Sequence, residues 1–134
     1  MSENRKSVER FFKVINNITM DDVQDIVADN AVVITTLGHE LSMIEWIAYM
    51  NKIYPEYRLL DGEINEINEF LFETTYIMSI IDNARKYRSE YVGHSKVQFK
   101  GNLITKIEIT SDGNALDIGH LIKVNKKIFP DFEL

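Results

Sequence analysis

The sequence contains no cysteine and only three histidines among its 134 residues. The absence of cysteine excludes a disulfide framework, a thiolate nucleophile and a thiolate zinc site. The three histidines are scattered and form no metal-binding motif, so we expect neither a metal nor a cofactor. The two prolines and six glycines fall singly, without a low-complexity stretch or an internal repeat.

Long apolar runs are missing as well. No stretch reaches the ~18 apolar residues of a transmembrane helix, and the charged N-terminal residues lack the apolar run of a secretory signal. Asp plus Glu number 21 and Lys plus Arg 15, and the net charge of −6 argues against an electrostatic grip on nucleic acid or anionic lipid. We therefore expect a cytoplasmic protein without a nucleic-acid or membrane partner.

The composition is that of a globular domain. Hydrophobic residues make up 45% and charged residues 27%, which fits neither a disordered chain nor a membrane protein. The length matches the usual ~100 to 150 residues of one domain, so we predict a single domain over residues 1–134.

Two helices are predicted near the N-terminus. Apolar side chains within residues 5–17 repeat at the spacing of one helical face, which predicts the first helix. Thr19, followed by Asp22, is typical of the start of a second, short helix, which should end near Asp29.

A strand and a third helix should follow. Residues 31–37 (AVVITTL) are rich in β-branched side chains and stop at Gly38, as a strand does. Ser42 and Glu45 form a capping box that predicts the start of a helix. Pro55 should end that helix because its nitrogen carries no hydrogen to donate.

After Pro55 the hydrophobic period changes to 2, which predicts that the second half is mostly sheet. We expect four antiparallel strands over residues 57–67, 70–82, 86–100 and 103–110, with a tight turn between the last two. An apolar stripe then predicts a last helix within residues 114–128, although Gly119 weakens it.

The strand over residues 70–82 carries apolar side chains on both faces. Tyr76 and Met78 share one face, while Ile77 and Ile81 share the other. Such a strand needs cover on both sides, and the helices cover only one. We therefore expect a homodimer through the outer face of the sheet. Cover by the C-terminal segment is the alternative.

The order of these elements and several stretches of text resemble the nuclear transport factor 2-like superfamily. The stretches are residues 11–17 (FFKVINN), 27–38 (VADNAVVITTLG), 42–46 (SMIEW) and 99–109 (FKGNLITKIEI), so the resemblance spans about residues 5–110. It implies an α+β fold, the cystatin-like cone, in which a curved antiparallel sheet wraps around the N-terminal helices and leaves an apolar pocket. The C-terminal helix would be an addition to this cone.

The resemblance implies a function class without selecting an activity, because this fold serves isomerases, SnoaL-like polyketide cyclases, dehydratases and proteins that only bind or associate. We expect a SnoaL-like domain that binds a small, mostly apolar molecule in the cone cavity. One alternative is an acid–base isomerase, polyketide cyclase or dehydratase that uses a histidine at the pocket mouth. A non-catalytic dimerisation module without a cavity is the other.

Laid over the ketosteroid isomerase of this superfamily, the chain has Thr35 at the position of the base, and Phe11 and Ser95 at the positions of the two donors. A threonine hydroxyl without a neighbouring base does not take a carbon-bound proton, and phenylalanine has no hydrogen to donate. The resemblance therefore disfavours a steroid-isomerase mechanism.

The predicted ligand-binding residues combine these positions with aromatic side chains on inward stripes. Core packing is the alternative role of the aromatic ones. The predicted set is Phe11, Thr35, Trp46, Tyr76, Tyr91 and Ser95.

His39 is the candidate catalytic residue. It follows Gly38 at the end of the first strand, where a loop could bring its imidazole to the pocket mouth, and histidine titrates near neutral pH. An exposed loop residue without a role is the alternative. His94 should face away from the pocket unless a bulge near Gly93 turns it inward, and Asp82 at a strand end is typical of a turn carboxylate.

Overall fold

The computed structural model describes residues 2–128. Its helices are α1 (Glu3–Lys13), α2 (Met20–Val23), α3 (Met43–Ile53) and α4 (Ala115–Ile128), and its strands are β1 (Val27–Ile34), β2 (Glu40–Ser42), β3 (Tyr57–Asn68), β4 (Leu71–Asp82), β5 (Tyr87–Lys100) and β6 (Leu103–Ser111). No helix within residues 2–128 is long and apolar enough to cross a membrane. The single domain predicted over residues 1–134 stays a prediction, since Met1 and residues 129–134 lie outside the described residues.

Six strands form one curved sheet in the order β2-β1-β6-β5-β4-β3. Neighbouring strands are antiparallel except β1 and β6, which are parallel. The helices and the inner face of the sheet share one cluster of buried apolar side chains. The predicted α+β class and cone are therefore confirmed, including the additional C-terminal helix.

The sheet has two strands more than the four predicted after Pro55. Strand β1 joins it through parallel pairing with β6, which no local pattern indicates because the two segments are far apart in the chain. Strand β2 has only three residues, too few for an alternating pattern to be visible.

The start of the first strand was predicted too late. Helix α2 has the predicted Thr19 and Asp22 capping box but ends at Val23 instead of near Asp29. Strand β1 begins at Val27, and its register with β6 shifts before Val32. The irregular part contains exposed polar residues, which interrupt the β-branched pattern and hide the strand.

Capping boxes begin both α3 and α4. Ser42 Oγ accepts a hydrogen bond from the Glu45 N–H at 3.1 Å, and the Glu45 carboxylate accepts one from the Ser42 N–H at 2.9 Å, as predicted. At α4, Asn114 Oδ1 accepts from the Asp117 N–H at 3.0 Å, and the Asp117 carboxylate accepts from the Asn114 N–H at 3.1 Å. Asp117 therefore fixes where α4 begins.

Strand β4 carries apolar side chains on both faces, as predicted. Tyr76 on the inner face is buried, whereas Ile81 on the outer face is 44% exposed. Ile77 pairs with Leu60 on β3 and with Val92 on β5, so these three form an apolar row across the outer face. Leu60 and Val92 of this row are 40% and 37% exposed, so no element within residues 2–128, α4 included, covers the row fully.

Candidate functional site

Two small cavities lie between the helices and the inner face of the sheet. The α4 cavity is about 50 Å³ and borders on α4. The α1 cavity is about 30 Å³ and borders on α1. One water molecule needs ~10–15 Å³ on the same measure, so each cavity has room for more than one. Both cavities share the walls formed by Trp46, Met50, Met78 and Ile109.

All six residues predicted to bind a ligand lie at these cavities. Thr35 and Tyr91 line the α4 cavity, and Trp46 lines both. The α1 cavity is lined in addition by Phe11, Tyr76 and Ser95. The structure thus brings the six together in two neighbouring groups, and their role in binding stays a prediction.

The polar groups of the α1 cavity are paired with each other. The Tyr76 hydroxyl lies 2.8 Å from Ser95 Oγ, and burial raises the pKa of Tyr76 to about 12 against the smaller opposing effect of that hydrogen bond. Above them the Phe11 ring stacks on Trp46 at 5.8 Å between centroids. This cavity therefore offers a ligand mainly hydrocarbon.

Gly93 lies in the regular ladder between β4 and β5, opposite Tyr76, without the bulge that would turn His94 inward. A Cβ at Gly93 would lie 2.4 Å from a ring carbon of Tyr76, so glycine is needed for the ring to pack there. His94 consequently faces outward, where its Nε2 lies 2.9 Å from the Asp112 carboxylate.

The candidate catalytic residue His39 lies in the turn between β1 and β2. Its N–H donates to Thr35 Oγ1 at 3.1 Å, and its carbonyl accepts from the Thr35 N–H at 2.9 Å. Thr35 therefore closes this turn in addition to lining the α4 cavity. His39 is not among the described residues that line the two cavities. Its catalytic role stays a prediction.

A buried polar cluster joins α4 to one end of the sheet. Tyr57 begins β3, Asp82 ends β4 and Tyr87 begins β5, so in this antiparallel arrangement the three lie at the same end. Asp117 and His120 of α4 contact them. We call these five residues the α4 polar cluster.

His120 has a partner on each ring nitrogen. Nε2 lies 2.9 Å from Asp82 Oδ2, and Nδ1 lies 2.5 Å from the Tyr57 hydroxyl. Because a carboxylate only accepts, Nε2 donates to Asp82, and Nδ1 forms the hydrogen bond with the Tyr57 hydroxyl. The ring also stacks on Tyr87 at 4.6 Å, and the Tyr87 hydroxyl donates to Asp117. Every ring nitrogen, hydroxyl and carboxylate of the cluster is thus hydrogen bonded.

Asp82 is charged although it is only 3% exposed. Burial opposes the charge, but hydrogen bonds from His120 and from the backbone and guanidinium of Arg85 outweigh it and lower the pKa of Asp82 to about 2. Asp82 does accept from the backbone of the following turn, as predicted. Its bond to His120 was not expected, since 38 positions separate the two residues.

His120, Asp117 and Asn125 were not among the residues predicted from the sequence. All three are buried on the same side of α4 as Leu121, at the spacing of one helical face. Polar side chains inside a buried stripe are usually paired, because an unpaired one is costly. Such interruptions of the apolar stripe were the available signal.

The α4 cavity has an uncharged lining. The Tyr49 hydroxyl donates to Asn125 Oδ1 at 2.7 Å, and burial, with a smaller contribution from Tyr91, raises the pKa of Tyr49. Burial and the nearby Asp117 charge likewise raise the pKa of Tyr91. Both phenols are therefore neutral near pH 7. Within residues 2–128, neither cavity is lined by a lysine, arginine, histidine or carboxylate.

No family model matches the sequence, and no curated protein does. The architecture, by contrast, matches solved structures. TerC, co-crystallised with polyporic acid, has a TM-score of 0.71 at 11% identity, covering 91% of this chain and 99% of TerC. A protein assigned to the SnoaL-like polyketide cyclases from Jannaschia sp. CCS1 has a TM-score of 0.67 at 10% identity, covering 92% and 89%. The chain has the nuclear transport factor 2-like fold.

An LEH-like epoxide hydrolase of M. tuberculosis has this nuclear transport factor 2-like fold too, with a TM-score of 0.64 at 14% identity, covering 96% of this chain and 97% of that one. At such identities the likeness shows the architecture alone, because one fold serves many activities.

Two aspartate–histidine pairs at the same distance allow a matched test of the α4 polar cluster. The variant Asp82→Ala removes the buried acceptor of the His120 Nε2–H. Its free energy of unfolding should therefore be lower by about 3 kcal/mol. Asp112→Ala removes the exposed partner of His94, also at 2.9 Å, and should cost below about 1 kcal/mol. Urea unfolding at pH 7 measures both.

The same pair of variants has a signature in acid. Since the pKa of Asp82 is lowered to about 2, its contribution to stability is complete above its ordinary value and is lost as the pH falls through about 2. The difference between the parent protein and Asp82→Ala should therefore shrink from pH 4 toward pH 2. Equal costs of the two substitutions at pH 7 would contradict the assigned role of the cluster.

Proposed function

We propose that this SnoaL-like domain binds a small, mostly apolar molecule in the α4 and α1 cavities. The supporting observation is the wall that the two cavities share, which consists of Trp46, Met50, Met78 and Ile109. Apolar walls with a few polar groups are typical of small-molecule sites. Cytoplasmic location remains the expectation from the sequence.

The cavities measure about 50 and 30 Å³, less than the ~150 Å³ that accommodates a benzene ring, so a single-ring ligand would bind only if the surrounding side chains move. Methionine side chains are flexible and adapt to irregular shapes. Movement of Met50 and Met78 would join the cavities into one elongated space. The co-crystallisation of TerC with polyporic acid supports small-molecule binding by a domain of this shape.

The same lining favours binding over acid–base catalysis. A general base must lie within hydrogen-bond reach, about 3 Å, of the proton it removes. The cavities are lined by hydroxyls, one amide and hydrocarbon among the described residues, and His39 is not part of the lining. The ring nitrogens of His120 are both occupied by Asp82 and Tyr57. An isomerase, cyclase or dehydratase would need a base from elsewhere.

A suitable probe ligand is α-methylstyrene, a single-ring hydrocarbon. Its binding can be followed by the fluorescence of Trp46, which is the chain's one tryptophan. We expect a change in Trp46 fluorescence and a raised melting temperature, because binding to the folded state alone stabilises it. The dissociation constant should be about 1 mM or lower for a ligand of this size.

Filling the shared wall should abolish this binding. Ile109→Phe places a ring where both cavities meet, whereas Ile44→Phe makes the same change at a side chain that is 68% exposed. The first variant should lose the fluorescence response and the second should retain it. Equal responses from the two variants, or no response from the parent protein, would contradict binding in the cavities.

We further propose a homodimer through the outer face of the sheet. The apolar row of Leu60, Ile77 and Val92 crosses three strands, and Leu60 and Val92 are 40% and 37% exposed. Contiguous exposed apolar surface usually marks an interface. Because a two-fold dimer buries the same patch on both subunits, a second copy of this row is its natural complement.

A charge at the β5 end of this row should prevent association. Val92→Lys would bury an unpaired ammonium group at the interface, so the protein should sediment as a monomer. Ile44→Lys places the same charge on α3 and should leave the dimer intact. Sedimentation equilibrium at micromolar concentration distinguishes them, and a monomeric parent protein would refute the proposed dimer.

A further inference from the structure

Among the tyrosine hydroxyls at the α4 cavity, one has no hydrogen-bond partner within residues 2–128. It belongs to Tyr91, which lines the cavity from β5. The hydroxyls of the three neighbouring tyrosines are all engaged, Tyr49 with Asn125, Tyr57 with His120 and Tyr87 with Asp117. Because burial keeps the Tyr91 phenol protonated, its proton is available to an acceptor in the cavity.

A second donor at the same cavity belongs to α4. Asn125 of α4 is only 3% exposed, and its Oδ1 accepts from Tyr49. Its Nδ2 has no partner among the described residues and is not sealed within the protein. Tyr91 and Asn125 line the same small cavity, so both donors face the same space. The Asn125 amide N–H is therefore available to an acceptor that enters the cavity.

The surrounding charges decide which acceptor fits. An anionic group would be buried without a counterion, because no described lysine, arginine or histidine lines the cavity and the nearby Asp117 would repel it. A cationic group such as an ammonium cannot accept hydrogen bonds from these donors. A neutral carbonyl oxygen has two lone pairs and no charge, and it matches two donors.

We infer that the α4 cavity recognises a neutral carbonyl oxygen at one end of an otherwise apolar ligand, through the Tyr91 hydroxyl and the Asn125 amide. The inference rests on the proposed binding function and adds the chemical class of the ligand, a ketone, aldehyde or ester. Thr35 and Trp46 would then contact the apolar part, since they line the same cavity.

The test compares two probes of nearly the same shape, acetophenone and α-methylstyrene, in which a carbonyl oxygen replaces a methylene group. Isothermal titration calorimetry on the full chain should give acetophenone a five- to tenfold lower dissociation constant, the usual net effect of about one hydrogen bond. Tyr91→Phe should remove this preference, so that the variant binds acetophenone no more tightly than α-methylstyrene. Tyr54→Phe, which deletes a hydroxyl outside both cavities, should keep it.

The outcomes separate the two proposals. If neither probe binds, the proposed function fails and this inference fails with it. If α-methylstyrene binds and acetophenone binds no better, or if Tyr91→Phe leaves the preference intact, only the inference is overturned. Benzoate should bind more weakly than acetophenone, and tighter binding of benzoate would refute recognition of a neutral oxygen.

Discussion

The structure depends on the hydrogen bonds made by the buried polar side chains of α4. A helix that covers the end of a curved sheet must bury one face, and in this chain that face includes a carboxylate, an imidazole and an amide. Such groups are tolerated in an interior only when they are hydrogen bonded. Asp82, Tyr57 and Tyr87 supply partners from three adjacent strand ends, and Tyr49 supplies one from α3. The position of α4 follows from these contacts.

The pairing also determines the character of the cavity beneath α4. The carboxylates of Asp82 and Asp117 are hydrogen bonded within the cluster, and neither lines the cavity. What remains at the cavity is hydrocarbon with hydroxyl and amide groups. Among residues 2–128, the lining thus offers neutral hydrogen-bonding groups and no charged side chain, which is the basis of the proposed ligand binding.

Local patterns were sufficient for most of the helices and the long strands. The capping box at Ser42 and Glu45 predicts α3 because its hydrogen bonds join residues only three apart. The alternation in β4 predicts which side chains face inward, since the period of a strand is a local property. Even the six predicted cavity residues lie where the resemblance and the inward stripes imply. Their positions depend on the common architecture and not on details of this chain.

The missing parts depend on distant pairing. Strand β1 enters the sheet beside β6, and His120 meets Asp82 and Tyr57, contacts that no window of sequence contains. Asp82 has the local appearance of a turn residue, and it is one, but its burial follows from α4. Polar residues at buried helical spacing indicate that partners exist without indicating which residues they are. The sequence of α4 therefore indicates buried polar residues, but it does not indicate that they form a cluster with Tyr57, Asp82 and Tyr87.

The most direct test of this account is native-state hydrogen exchange of the α4 backbone amides, compared with those of β5 in the same sample. If the buried polar cluster makes α4 an integral part of the core, the central amides of α4 should have an opening free energy close to that of the β5 amides. The β5 amides report global unfolding. Exchange of the α4 amides at rates near those of an unstructured peptide, while β5 stays protected, would contradict it.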